Sequence, residues 1–429
     1  MKKMILSIIL IFCFIYPTSA KEITHQSLIL VNNNREEKIT DKNENTFITL
    51  NKKDVITVKS EEIYGLYIIY EETKRGVLKN ENQNIKIGTQ SFLHEYIDIE
   101  NTIGISKSIS LNYSETVKIA EMYVFGKGKI PDFVEKWKPP LKKSDMLLFS
   151  THSDDEHLFF AGIIPTYIDR GYDLQMVYMT YHENESQRFH EALHGLYKSG
   201  IRNYPIEGVI PDEKSYTLEE AIKKLEKRNK TLNQILAFQT EMIRRFKPNV
   251  LVGHDELGEY GHGQHSLNTY SLKQVLDKTN HADFFTESYK KYGGWEVPKT
   301  YFHSYSKNKI TLNFDEPLAN FNGKTAFKVS KESFLEHKSQ TGKRFYNWIY
   351  KDYQKATEIE KYSPIEWGLY KTTVGEDKIK NDLFENIEFE VKKQMNKHFF
   401  LSPKQKLMFL LLSIIILVKI KQILTLKKL

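Results

Sequence analysis

The hydrophobic period of this chain changes once, near residues 130–140, and that change limits the folds open to it. From Lys21 to about Lys129 the apolar residues come in short alternating runs: SLILV, TFITL, DVITV, GLYIIY, NIKIG, SISLNY and VKIAEMYVF. Polar turns rich in Asn, Lys, Glu and Gly separate them. Period-two alternation in about seven short runs predicts an antiparallel β-sandwich over 21–129. The stretch IPDFVEKWKPP then reads as part of a linker over 130–143.

Beyond it, apolar runs of strand length alternate with helical periodicity. Strands are expected at 145–150, 173–180, 249–253 and 300–305. Helices are expected at 156–170, 187–198 and 266–276, with one or two more over 218–246. This order predicts a doubly wound α/β domain over 144–390, with a mainly parallel, Rossmann-like sheet. Ligands of such sheets sit beyond the carboxyl ends of the strands. The region after Tyr305 is weakly periodic and supports no assignment.

The two ends of the chain address it to a membrane. Met-Lys-Lys, an apolar run from Met4 to Tyr16 and Thr18-Ser19-Ala20 have the form of a secretory signal peptide over 1–20. The only cysteine, Cys13, lies inside it, so the mature chain has no disulfide and no thiolate metal site. Near the other end, LMFLLLSIIILV is flanked by lysines. A helix over 403–424 is expected to anchor the chain, with the flanking lysines snorkelling to the interface; the twelve-residue apolar run is itself shorter than a bilayer core, so an interfacial or packed helix stays open as the alternative. The expected location is the extracellular face, with the Lys-rich tail in the cytoplasm. Two lysines of the signal and six of the tail account for the +7 formal charge, leaving the body at −1. A body without basic excess argues against a nucleic-acid partner.

Two clusters of potential ligands stand where the α/β pattern places a site. STHSDDEHLFFAG follows the strand at 145–150, and HDELGEYGHGQH follows the strand at 249–253. Adjacent carboxylates repel, and a cation would hold them together. Taken alone, the acidic run also suits a helix N-terminus. His152 and Asp155 are three residues apart, as are His262 and His265, a spacing that faces one side of a helical turn. Two nitrogens and one oxygen from two loops would make a three-ligand metal site with an open position.

These clusters resemble the PIG-L/LmbE-like family of zinc-dependent N-acetylglucosaminyl deacetylases. The family's H-P-D-D-E motif is matched by His152-Ser153-Asp154-Asp155-Glu156, and its G-H-x-x-H motif by Gly261-His262-Gly263-Gln264-His265. The resemblance covers about 144–305, and the run from Trp367 to Ile387 looks like a C-terminal segment of secreted bacterial relatives. It implies that His152, Asp155 and His265 bind Zn2+, and that Asp154 is the general base. It also implies that His262 stabilises the developing oxyanion, and that Arg188, in an R-x-x-E run with Glu191, contacts the sugar or a nearby anion. Ser153 replaces the family's usual Pro, and Gly263-Gln264 replaces its usual Pro-Asp.

The expected function is hydrolysis of the N-acetyl group of an N-acetylated amino sugar in a surface or extracellular glycan. Two alternatives stay open on sequence: a glycan-binding protein without catalysis on the same fold, and a zinc amidase cutting a larger acyl group.

Overall fold

The computed structural model describes residues 21–183, 186–341 and 353–389. The expected signal peptide at 1–20 and the expected anchor at 403–424 lie outside the described residues. Among the described residues no helix is long and apolar enough to cross a membrane. The chain divides into two compact units, Met1–Trp137 and Lys138–Leu429.

The first unit holds two antiparallel sheets. One has six strands in the order Asn34–Arg35, Leu28–Val31, Val55–Ile63, Ser106–Tyr113, Gly76–Lys79 and Asn84–Ile87. The other has four, in the order Ile48–Leu50, Val117–Phe125, Gly65–Glu72 and His94–Asp98. Both contribute to one apolar cluster, with Ile56, Val58, Ile109 and Leu111 from the first sheet and Leu66, Ile68, Ile119 and Val124 from the second. The strand Gly65–Glu72 is apolar on both faces. Leu66 and Ile68 enter that cluster, while Tyr67 and Ile69 pack in a separate one with Phe125 and Val134. A strand buried on both sides needs a cover on its second face. Part of the expected linker supplies it: Val134, Glu135 and Trp137 are buried, and Glu135 accepts a hydrogen bond from Trp137 Nε1 at 2.7 Å and pairs with His94 at 2.6 Å.

In the second unit the strands β1 (Met146–Ser150), β2 (Leu174–Tyr178), β3 (Val250–Gly253) and β4 (Lys299–His303) are parallel, in the order β2-β1-β3-β4. Two antiparallel strands, β5 (Lys309–Thr311) and β6 (Glu366–Thr372), extend the sheet beyond β4 in the order β4-β6-β5. Every residue of β1 is buried, as expected of a central parallel strand. Leu147 and Phe149 pack with residues of two helices, one of them over Leu232–Phe246 and the other over Gly263–Val275.

The helices in chain order are α1 (Asp155–Leu158), α2 (Ile163–Asp169), α3 (Ser186–Lys198), α4 (Leu218–Lys227), α5 (Leu232–Phe246), α6 (Gly263–Val275) and, after the short helix Thr286–Tyr292, α7 (Ala326–Phe334). The single helix expected at 156–170 is thus two. Gly162 breaks it at φ +85°, and a Cβ there would stand 2.3 Å from the Phe314 ring. The pattern over 218–246 also divides, because Thr231 caps α5. Its hydroxyl accepts from Gln234 N at 3.3 Å, and the Gln234 side chain accepts from Thr231 N at 2.9 Å. In the region without expected elements, α7 packs against α1, α2 and α3.

A buried ion pair ties the segment after β6 to the sheet. Lys299 on β4 is fully buried and pairs with Asp377, and it also donates to the Glu385 carbonyl at 2.7 Å. Tyr301 donates its hydroxyl to the other Asp377 oxygen at 2.6 Å. Removing one partner of a buried pair leaves an uncompensated charge. The Asp377→Leu protein is therefore expected to lose about 3–5 kcal/mol of stability, read from its urea unfolding midpoint, and Asp377→Asn less.

Candidate metal centre

The two ligand clusters lie at the carboxyl ends of adjacent parallel strands. Thr151 to Glu156 follow β1, and His254 to His262 join β3 to α6. The loops are tied directly: Thr151 N donates to His254 Nε2 at 3.0 Å, and Asn268 Nδ2 donates to Thr151 Oγ1 at 3.0 Å.

Three atoms meet between the loops. His152 Nδ1 lies 3.1 Å from Asp155 Oδ2 and 3.1 Å from His265 Nε2, and His265 Nε2 lies 3.1 Å from Asp155 Oδ2. All three side chains are buried. Ligands about 2.0–2.1 Å from a tetrahedral metal stand roughly 3.3 Å apart, so this near-equilateral triangle is of the right size.

The hydrogen bonds on the far sides of the rings set what these atoms offer. Gln264 donates its amide Nε2 to the Pro211 carbonyl at 2.9 Å, so its Oε1 is an acceptor. That oxygen lies 2.9 Å from His152 Nε2, which places the His152 proton on Nε2 and leaves Nδ1 with a lone pair. His265 Nδ1 faces Glu259 Oε2 at 2.7 Å and carries its proton there, so Nε2 is the free position. Two imidazole nitrogens and a carboxylate oxygen then point at one place, an arrangement that favours a cation, whether a proton or a metal. Burial opposes charge on His265, yet Asp155 and Glu259 push its pKa up to about 10. Burial likewise opposes charge on Asp155, but His265 and His152 hold it well below the usual carboxylate range. The donor set thus fits a divalent metal of nitrogen and oxygen preference.

Glu259 organises more than His265. Its fully buried carboxylate also faces His254 Nδ1 at 2.9 Å and His303 Nδ1 at 2.7 Å. His303 Nε2 faces the Ser363 carbonyl at 2.9 Å, so both its nitrogens meet acceptors. Burial works against charge on His303, but Glu259 and that carbonyl raise its pKa. His254 stands close enough to Asp155 and His265 to be considered as a ligand. Both its nitrogens are engaged, however, one with Glu259 and the other with Thr151 N.

Asp154 stands beside the triangle on a strained backbone, at φ +138°, a conformation that costs a non-glycine residue about 1–3 kcal/mol. Its N–H donates to Glu156 Oε2 at 2.8 Å. Burial and the Asp155 carboxylate push Asp154 up to about 6, against the pull of Arg188. His262 packs its ring 4.6 Å from those of His152 and His265, and its buried Nδ1 has no hydrogen-bond partner. Burial, followed by His152 and His265, drives its pKa down to about 2. Tyr260 and Phe159 flank the cluster, each with ring contacts to His265.

Arg188 is nearly buried. Its Nη1 pairs with Asp212, while Nη2 donates to the Ser153 carbonyl at 3.1 Å and lies 3.7 Å from Asp154. Its neighbour in the R-x-x-E run, Glu191, instead accepts from Ser339 N at 2.8 Å. Asp212, Glu259, Gln264 and His303 also belong to the site, beyond the residues that the motifs indicate. Glu259 and Gln264 lie inside the second cluster but carry no ligand signature, while Asp212 and His303 come from distant segments.

Residues 147–275 match the model of the PIG-L family, described as GlcNAc-PI de-N-acetylase. No curated protein matches the sequence. Among solved structures, N,N'-diacetylchitobiose deacetylase from Pyrococcus horikoshii is similar at 15% identity and TM-score 0.34, covering 49% of this chain and 76% of that one. A deacetylase triple mutant of the teicoplanin biosynthetic pathway is similar at 12% identity and TM-score 0.33, covering 53% of this chain and 97% of the other. The 4-carboxy-2-hydroxymuconate hydratase of Pseudomonas putida is similar at 13% identity and TM-score 0.34, covering 55% and 99%.

If Gln264 fixes the ring of His152, its loss should weaken metal binding without unfolding the protein. The Gln264→Ala protein is expected to bind Zn2+ about 10–100-fold less tightly, measured by chelator competition, with an unchanged circular dichroism spectrum.

Proposed function

We propose that this chain, which carries a PIG-L domain at residues 147–275, is a zinc-dependent deacetylase. It hydrolyses the N-acetyl group of an N-acetylated amino sugar in a surface or extracellular glycan. The observation that carries this reading is the triangle of His152, Asp155 and His265, with three ligand atoms directed inward and Asp154 beside it.

His152, Asp155 and His265 would hold the zinc, leaving one position open. Bound zinc supplies Lewis acidity, which polarises the amide carbonyl and makes a water acidic enough to attack near neutral pH. Asp154 takes the proton from that water. The water oxygen would bond to the carbonyl carbon, the C–N bond would break, and the nitrogen would take up the proton that Asp154 had received. The products are acetate and a free amine. His262 faces the oxygen on which negative charge develops. Arg188 keeps a place in this reading close to the base. With its terminal nitrogens on Asp212, Ser153 and Asp154, it holds the base and its loop and meets substrate only at that edge.

The expected signal and anchor put the site at the extracellular face of a membrane, where a glycan is the substrate at hand. The two antiparallel sheets of the first unit we read as an accessory β-sandwich.

The test is acetate release by the full chain from chitooligosaccharides and from surface glycan extracts, beside an Asp154→Asn version, with metal content measured on both. About one zinc per chain is expected in each, with turnover reduced about 10²–10⁴-fold by the substitution. Release of a longer acid would reassign the acyl group. Failure to retain metal after zinc reconstitution would end the reading.

A further inference from the structure

Behind Asp154 lies a second buried cluster that the reaction described above leaves without a task. Glu156, His157 and His337 are all fully buried, and their ligand-type atoms lie within 4.8 Å of one another. His337 comes from far along the chain, in the turn that follows α7, where its N–H donates to the Phe334 carbonyl at 2.9 Å.

The contacts run in one line toward Asp154. His337 Nε2 stands 3.1 Å from Glu156 Oε1. The other oxygen, Glu156 Oε2, accepts the N–H of Asp154 at 2.8 Å. Asp154 is the residue held at φ +138°, and such a backbone persists only where its surroundings fix it. The Glu156 carboxylate can hold the Asp154 N–H only while it stays in place, and the His337 contact fixes its other oxygen.

The segment that bears His337 is itself clamped. Ser339 donates from its N–H at 2.8 Å and its hydroxyl at 2.5 Å to Glu191 on α3. One turn earlier on α3, Arg188 reaches the Asp154 carboxylate at 3.7 Å. The helix therefore governs Asp154 from both sides, through Arg188 at the carboxylate and through Glu191, His337 and Glu156 at the backbone. Gly195 allows the close approach, since a Cβ there would stand 2.9 Å from His157 Nε2 and 3.1 Å from His337 Nε2.

We propose that His337, acting through Glu156, is a positioning residue for Asp154, so that the turn after α7 completes the active site. This rests on the deacetylase reading above. His337 touches neither metal nor substrate; it fixes where the base stands. A misplacement of the order of 1 Å in a reacting group costs on the order of 10² in rate.

The experiment compares the full chain with His337→Leu, His337→Gln, Glu156→Gln and the Glu156→Gln/His337→Leu double variant. Acetate release and metal content are measured on each. The expected result is a kcat lower by about 10–100-fold for His337→Leu, with KM and zinc content unchanged. The Gln variant retains an N–H to offer Glu156 and should recover most of the loss. The double variant should be no slower than the slower single one, because both act on the same link.

Full turnover by His337→Leu would overturn the proposal. So would zinc loss in step with activity, or a second metal equivalent in the parent that disappears with His337, which would make the trio a metal site. Should His337→Leu fail to fold, Glu156→Gln and His337→Gln give the same comparison, and full turnover in Glu156→Gln would overturn it. Failure of the deacetylase reading shows in the parent chain as absent acetate release. Failure of the present inference shows only among the variants.

Discussion

The architecture of the centre depends on one carboxylate that never meets water. Glu259 is fully buried and faces three imidazoles, those of His254, His265 and His303. An isolated carboxylate in such a place would be very costly. His303, whose two nitrogens both meet acceptors, supplies the balancing positive charge. With that settled, Glu259 orders the ends of three strands at once. It turns His265 so that Nε2 faces Asp155. It fixes His254, which accepts the Thr151 N–H and so ties the β1 loop to the β3 loop. It holds His303 at the end of β4. Metal affinity, loop register and sheet edge are therefore coupled through one side chain.

A second constraint concerns Asp154. Its unfavourable backbone places a carboxylate next to the ligand triangle without making it a ligand, and the structure contains the means to hold it there. Glu156 takes its N–H, and Arg188 faces its carboxylate. Arg188 in turn is anchored by Asp212, which burial would raise but which His152, His182 and Arg188 keep far below the ordinary carboxylate range. The strain at one residue is thus distributed over α3, the α7 turn and the loop containing Asp212.

The sequence displayed those parts of this arrangement that are local in the chain. Period-two runs before residue 130 and strand–helix alternation after it match an all-antiparallel unit followed by one with a parallel sheet. The His152 and His262 clusters were visible because their residues are neighbours in sequence, and the fold brings the two together at adjacent strand ends. The rest needed three dimensions. Asp212, His303 and His337 stand alone in sequence, and nothing near them signals a ligand field. The break at Gly162 depends on Phe314, some 150 residues away. The packing of Val134 follows from GLYIIY, a strand apolar on both faces. That run did carry the message that a second cover was needed, but it did not say which segment would provide it.

The departure at Gly263-Gln264 becomes intelligible in the same terms. Gly263 stands where a Cβ would lie 2.2 Å from the Thr217 carbonyl, and its N–H donates to Ser215 at 2.8 Å, so the loop at 215–217 crosses directly over it. A proline there would lack that N–H and collide with that carbonyl. Gln264 offers His152 a neutral acceptor, whereas His265 leans on the charged Glu259. A charged acceptor makes an imidazole the stronger donor to a metal. In the proposed metal site the two histidines would therefore be unequal, with His265 the stronger donor. This asymmetry also limits the charge of the site. Asp154, Asp155, Glu156, Asp212 and Glu259 already outnumber Arg188 and His303, and a sixth carboxylate in place of Gln264 would widen the gap. The excess that remains has the sign that a bound dication would offset, and it is gathered where His152, Asp155 and His265 meet.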